Sequence, residues 1–378
     1  MFYVEDVNFP KAFLWGVNSP FFPLLENSRE ETKQRIFENA EKDLSEQLSF
    51  LKSLKINSFR FNLNWDLLYL DPFYSCTMYD NFIEQLRQRE IEPIVNLIDF
   101  DVLSYNQKEI IDTIENEENI SKFIEIIEKI VSSFKYKVQY YIILNHTTKY
   151  LKRRFFKGTD VDKTELNETV QNLLNFYDKS VRIIKSINPY AKVSVSEEFN
   201  VEEEEQLDFV FSFIDIVVKG KSPFFENMAF KKSEIDFIGI DFNDLTSNSE
   251  EYTSLIKELS KEKNNIDLDE VIKRFSYKYY LPFLITENIS TVEDDSLKSR
   301  YLVNNLYKIN QSLESNVKIF GYIYNSLSDI KINNRLLKTG LYRIDDKNNY
   351  ISLRNFAKVY SNIIEDNSIN ERYLKYID

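Results

Sequence analysis

Glycine is nearly missing from this chain: there are six in 378 residues, about 1.6% where proteins average near 7%. Neither GxGxxG nor GxxxxGK[ST] can be written from Gly16, Gly158, Gly220, Gly239, Gly321 and Gly340. A glycine-rich phosphate cradle of the dinucleotide or P-loop kind is therefore excluded. Cysteine is reduced to Cys76, so no intrachain disulfide can form, which fits a reducing compartment. Histidine is reduced to His146, too few soft ligands for a structural zinc site. Basic residues are outnumbered, 48 Lys and Arg against 61 Asp and Glu, for a net charge of −13. Such a chain is repelled by nucleic acid and by anionic membranes, and neither is an expected partner. No apolar run reaches the roughly 18 residues that mark a membrane helix. Residues 1–6 show no basic segment leading into an apolar one, as a secretory signal would. The expectation is a soluble, cytoplasmic protein, and nothing in the composition calls for a cofactor.

What the chain does have is apolar and aromatic mass, 43% and 15% of residues, enough for a large core. No low-complexity linker divides it. The densest charge block, Glu202–Glu205, reads as a solvated helix start. Short apolar runs recur at Phe13–Val17, Ser58–Trp65, Ile91–Asp99, Tyr140–His146, Ala191–Glu197, Ile235–Phe242, Phe283–Asn288 and Val317–Tyr324. They are dense in Ile, Val, Phe and Tyr rather than alternating, as parallel strands buried on both faces are. Between them lie amphipathic stretches at Glu41–Leu54, Tyr79–Arg89, Ile120–Phe134, Leu166–Ile187 and Ser296–Leu313. Eight strands with intervening helices predict an α/β fold, one (β/α)8 TIM barrel domain over residues 1–378.

In such a barrel the chemistry sits at the C-terminal ends of the strands. The polar residues falling there are Asn18, Asn62 and Asn64, Asp99 and Asp101, Asn145 and His146, Glu197 and Glu198, Asp241 and Asn243, Glu287 and Asn288, and Asn325. Arg60 is the basic residue embedded in a strand. Four strand ends carrying carboxylates suggest acid–base chemistry on a neutral polar substrate, and glycoside hydrolysis is the reaction most often built this way.

Several segments are similar, in order, to glycoside hydrolase family 1, the β-glucosidase family. Phe9–Gly16 resembles FP-x-x-F-x-WG, and Phe59–Trp65 resembles the family's second strand. Tyr79-Asp80 with Ile91-Glu92-Pro93 resembles YD…GIEP, Ile235–Ile240 resembles DFIGIN, and Leu281–Asn288 resembles LPIYITENG. Gly321-Tyr322 and Gly340-Leu341 match the closing GYF and FGL elements. The resemblance implies retaining hydrolysis with Glu287 as nucleophile, Arg60 beside it lowering its pKa, and Asn145 binding the sugar 2-hydroxyl.

Elsewhere the pattern departs from the family. The acid/base glutamate of Asn-Glu-Pro is replaced, the chain reading Asn145-His146-Thr147. The sugar-gripping glutamine falls at Pro23, the His-Trp pair on Asp99-Phe100, and the tyrosine on Phe242 or Asn243. The tryptophan platform falls on Asn325 and the Glu-Trp pair on Ile332-Asn333. One reading is a diverged glycosidase in which His146 is the proton donor. Asp99, Glu197 or Glu198 are alternatives for that role, and Asp99, Asp241 and Asn325 join Arg60 and Asn145 in binding a carbohydrate or glycoside. The other is a pseudo-glycosidase that binds a carbohydrate or a protein partner. Metal chemistry by Asp99, Asp241, Glu287 and His146 is a third possibility.

Overall fold

The computed structural model describes residues 6–19, 32–101, 117–156, 162–200, 211–222, 230–243, 268–289, 294–332, 335–345 and 350–377. Pro23, Glu202–Glu205 and Asn333 lie outside them. Eight parallel strands close into a barrel in sequence order. They are β1 (Leu14–Ser19), β2 (Ser58–Asn62), β3 (Glu92–Asp99), β4 (Tyr140–Asn145), β5 (Lys192–Asn200), β6 (Phe237–Asn243), β7 (Phe283–Ile289) and β8 (Ile319–Asn325). The barrel closes where β1 pairs with β8, Leu14 opposite Gly321 and Asn18 opposite Asn325. A Cβ on Gly321 would lie 2.7 Å from the Leu14 Cβ and 2.8 Å from the Leu284 Cδ1. Glycine is kept at that seam because any side chain would push the two strands apart.

The expected barrel is therefore the observed one, and the differences lie at element ends, where capping decides. The run Ser58–Trp65 is not all strand: β2 ends at Asn62, and the Asn64 side chain accepts the Leu67 amide at 3.2 Å to start helix α2 (Trp65–Leu70). The expected helix at Tyr79 begins earlier, as α3 (Pro72–Arg87), because Asp71 caps it and Pro72 fits the first turn. The helix expected from Glu41 likewise starts earlier, as α1 (Lys33–Leu51), capped by Thr32. His146 is not a strand residue. It adopts φ 60°, ψ 34° and precedes helix α4, Thr147–Phe155 in the chain, as its N-cap.

The helix Glu117–Phe134 buries Ile120, Phe123, Ile127, Ile130, Val131 and Phe134 at helical spacing. Together with Lys163–Ile187, Leu268–Tyr279, Asp295–Glu314 and Asn355–Asp366 it covers the outer faces of the strands. Inside the barrel a separate apolar floor forms from Ile94, Ile142, Phe237, Leu284 and Ile323. Above that floor the interior turns polar, and every group there needs a partner.

Candidate functional site

The strand register sets the polar layers. Arg60 on β2 and Asp241 on β6 are fully buried, and their side chains pair across the interior at 3.3 Å. Asn96 presents its oxygen to the Arg60 Nη2 at 3.2 Å and its nitrogen to the carbonyls of Ile98 and Ile142. Asp241 also accepts the Ser196 hydroxyl at 3.0 Å. At the level above, Asp99 accepts the side-chain amides of Asn62 and Asn145, each at 3.1 Å. Across the β1–β8 seam the Asn18 amide reaches the Asn325 oxygen at 3.4 Å.

His146 stands at the centre of this arrangement. Its Nε2 is 2.6 Å from Asp241 Oδ2, and its Nδ1 is 3.2 Å from Asp101 Oδ2 and 3.4 Å from Asp99 Oδ1. Its left-handed backbone, with its N–H on the Ser196 carbonyl at 3.0 Å, turns the ring inward. Burial alone would drive the imidazole neutral. The charge of Asp101 and the hydrogen bonds to Asp101 and Asp241 overrule it and hold the ring well above its ordinary pKa. The effect is reciprocal. Burial would raise Asp99 and Asp101, but His146 brings both below their usual range, helped at Asp101 by Lys149. The ring is thus an imidazolium with carboxylates at both nitrogens.

A second ionic layer lies outside the first. Asp101 accepts from Lys149 Nζ and Arg153 Nη1, each at 2.7 Å, and Lys149 pairs in addition with Glu198. Among the described side chains four cations (Arg60, His146, Lys149, Arg153) thus face four carboxylates (Asp99, Asp101, Glu198, Asp241). Asp101, His146 and Glu198 each bring one ligand atom within a 4.8 Å cluster. Lys149 supplies positive charge at that cluster, with its ammonium on Asp101 and Glu198.

The sequence candidates fall in several places. Arg60, Asp99, Asn145, His146 and Asp241 come together in one network. Asn325 sits at the seam with Asn18. Glu287 is placed by its backbone, its Cα in register with that of Asp241. Glu197 makes its hydrogen bonds to Thr148, while the charges of His146 and Asp241 still reach it. Its carboxyl receives the Thr148 backbone N–H at 3.1 Å on both oxygens and caps α4. Burial pushes its pKa up to about 8, against the Thr148 hydrogen bonds and the His146 charge that lower it. Lys149, Arg153 and Ser196 were not picked out from the sequence. The only available signal was the i, i+4 spacing of Lys149 and Arg153 directly after β4, which places both on one helix face.

The sequence model of glycosyl hydrolase family 1 matches residues 20–232, more than half of the chain. The chain belongs to glycosyl hydrolase family 1. A β-galactosidase from Sulfolobus acidocaldarius is 25% identical to it over 218 residues, 51% of this chain and 44% of the relative. The match thus spans less than half of that curated relative's length. Among solved structures, a family 1-like likeness in fold is given by a β-glycosidase from Pyrococcus horikoshii, with a TM-score of 0.76 at 19% identity over 98% of both chains. A β-glucosidase from Thermotoga maritima in complex with deoxynojirimycin gives 0.76 at 16% identity, over 96% of this chain and 100% of that one.

Proposed function

We propose that this family 1 barrel, one domain over residues 1–378, binds a carbohydrate at the C-terminal ends of its strands and does not hydrolyse ordinary O-glycosides. The observation that carries this is the enclosure of His146 between Asp241 and the Asp99–Asp101 pair. Departure of an alkoxide needs a proton, and the second step needs a base. An imidazolium whose N–H groups are both held by carboxylates, Asp241 on one side and Asp99 and Asp101 on the other, is a poor donor. With its pKa raised it is also no base at neutral pH. In this reading His146 is a fixed charge at the position where the family resemblance puts a proton carrier. The carbohydrate reading is supported by family membership and by the inhibitor-bound relative. The free Asn145 Oδ1, buried without a hydrogen-bond partner, is an acceptor for a ligand hydroxyl.

A second reading keeps Glu287 as a nucleophile for substrates whose leaving group needs no proton. It is favoured by the backbone register that puts Glu287 level with Asp241, the partner of Arg60. Both readings are tested together with 2,4-dinitrophenyl and methyl β-glucosides and β-galactosides, with deoxynojirimycin binding followed by calorimetry. The expected result is binding without turnover of the methyl glycosides. Any turnover of the dinitrophenyl compounds disappears in Glu287→Gln. General acid catalysis is worth about 10²- to 10⁴-fold. Methyl glycoside hydrolysis that is lost in folded His146→Gln would overturn the proposal and restore His146 as the acid.

A further inference from the structure

We infer that the ionic chain Glu198–Lys149–Asp101–Arg153 is a strap that closes the barrel mouth over His146. The inference rests on the reading that a ligand enters at the strand ends. Its geometry is independent of what that ligand is.

Three neighbouring strand ends contribute. Asp101 lies two residues beyond β3, Lys149 and Arg153 lie on the helix after β4, and Glu198 lies on β5. The bridge therefore runs from β3 to β5 across β4, whose next residue is His146. Exposure falls steadily inward: the side chains of Arg153, Lys149 and Asp101 are 44%, 30% and 25% exposed, whereas Glu198 and His146 are 6% and 4%. Asp101 Oδ2 joins the layers, touching both Lys149 Nζ and His146 Nδ1. Water reaches the outer pairs, and the ring lies directly beneath them. Partly exposed ion pairs are weak and screened by salt, so this closure is one that opens without unfolding the barrel. Anything approaching His146 between β3 and β5 has to part Lys149 from Asp101 or from Glu198.

Deuterium exchange at the Cε1–H of His146 reads the strap directly. The chain has one histidine, so mass spectrometry needs no site resolution beyond the peptide. Lys149→Met keeps the aliphatic stem and removes both ion pairs. It is expected to exchange at least about fivefold faster, the worth of roughly 1 kcal/mol of lost pairing. Wild type should approach that rate as NaCl rises from 0.05 to 0.5 M, while the variant, left with the Arg153–Asp101 pair alone, should respond less. Arg153→Met, cutting the outermost pair, carries the same test if Lys149→Met fails to fold. Exchange rates equal in wild type and variant, and flat with salt, overturn the strap. The association rate of deoxynojirimycin separates the two ideas. Faster exchange with no binding by either protein keeps the strap and removes the carbohydrate reading, whereas binding at one rate to both proteins with unchanged exchange removes the strap alone.

Discussion

His146→Gln is expected to cost about 3–5 kcal/mol at neutral pH, the usual penalty for removing one partner of a buried ionic group. The variant leaves Asp99 and Asp241 buried with one cation fewer, and glutamine restores hydrogen bonds but not charge. The pH dependence identifies the cause. In the wild type the folded imidazole pKa lies well above the ordinary value. That contribution is complete below the unfolded pKa of about 6.5 and fades only as pH rises through the folded value. Asp99 and Asp101 shift the other way. Their contribution is present above the unfolded carboxylate pKa of about 3.9 and is lost as pH falls through the lowered folded values. Wild type should therefore hold its stability plateau between about pH 4 and about pH 6.5 and lose stability as pH rises above it. In His146→Gln the imidazolium contribution is gone and that of the carboxylates is reduced, so the deficit should be largest between about pH 4 and about pH 6.5 and shrink as pH rises above or falls below that window. Urea unfolding at several pH values measures both effects. A deficit independent of pH would mean that packing, not charge, holds the ring.

Asp241→Asn is expected to have the second largest effect, again about 3–5 kcal/mol. Asp241 accepts from Arg60 at 3.3 Å, from Ser196 at 3.0 Å and from His146 at 2.6 Å. Asparagine keeps the shape and can accept on one side only. The loss of charge should also lower the His146 pKa, since the hydrogen bond and charge of Asp241 are among the interactions that raise it. Combined with His146→Gln, the two changes should be strongly non-additive, because each removes the other's partner. Additive costs in denaturation would show that the 2.6 Å contact contributes nothing to stability.

The barrel itself was legible in the sequence because buried parallel strands leave an unmistakable residue pattern. Runs such as Ile91–Asp99 and Tyr140–His146 are apolar on both faces, and the observed strands Glu92–Asp99 and Tyr140–Asn145 lie within them. Element ends were less legible, since Asn64, Asp71 and Thr32 act through cap hydrogen bonds that periodicity does not encode. At the site, the position of His146 was legible, but its state was not. That state depends on Asp99, Asp101 and Asp241, which come from two other strand ends and meet only once the barrel closes. Glu197 makes the same point from the opposite side. It and Glu198 are adjacent in sequence, yet strand alternation sends one to cap the Thr147–Phe155 helix and the other to Lys149.

That His146 is a fixed imidazolium is tested most directly by its own titration. With a single histidine in the chain, ¹⁵N-histidine labelling gives one Nδ1 and one Nε2 resonance. Both should keep imidazolium shifts as pH is raised through the ordinary midpoint near 6.5. A ring that titrates to the neutral form with a midpoint near 6.5 would contradict the locked charge and return His146 to the role of proton donor.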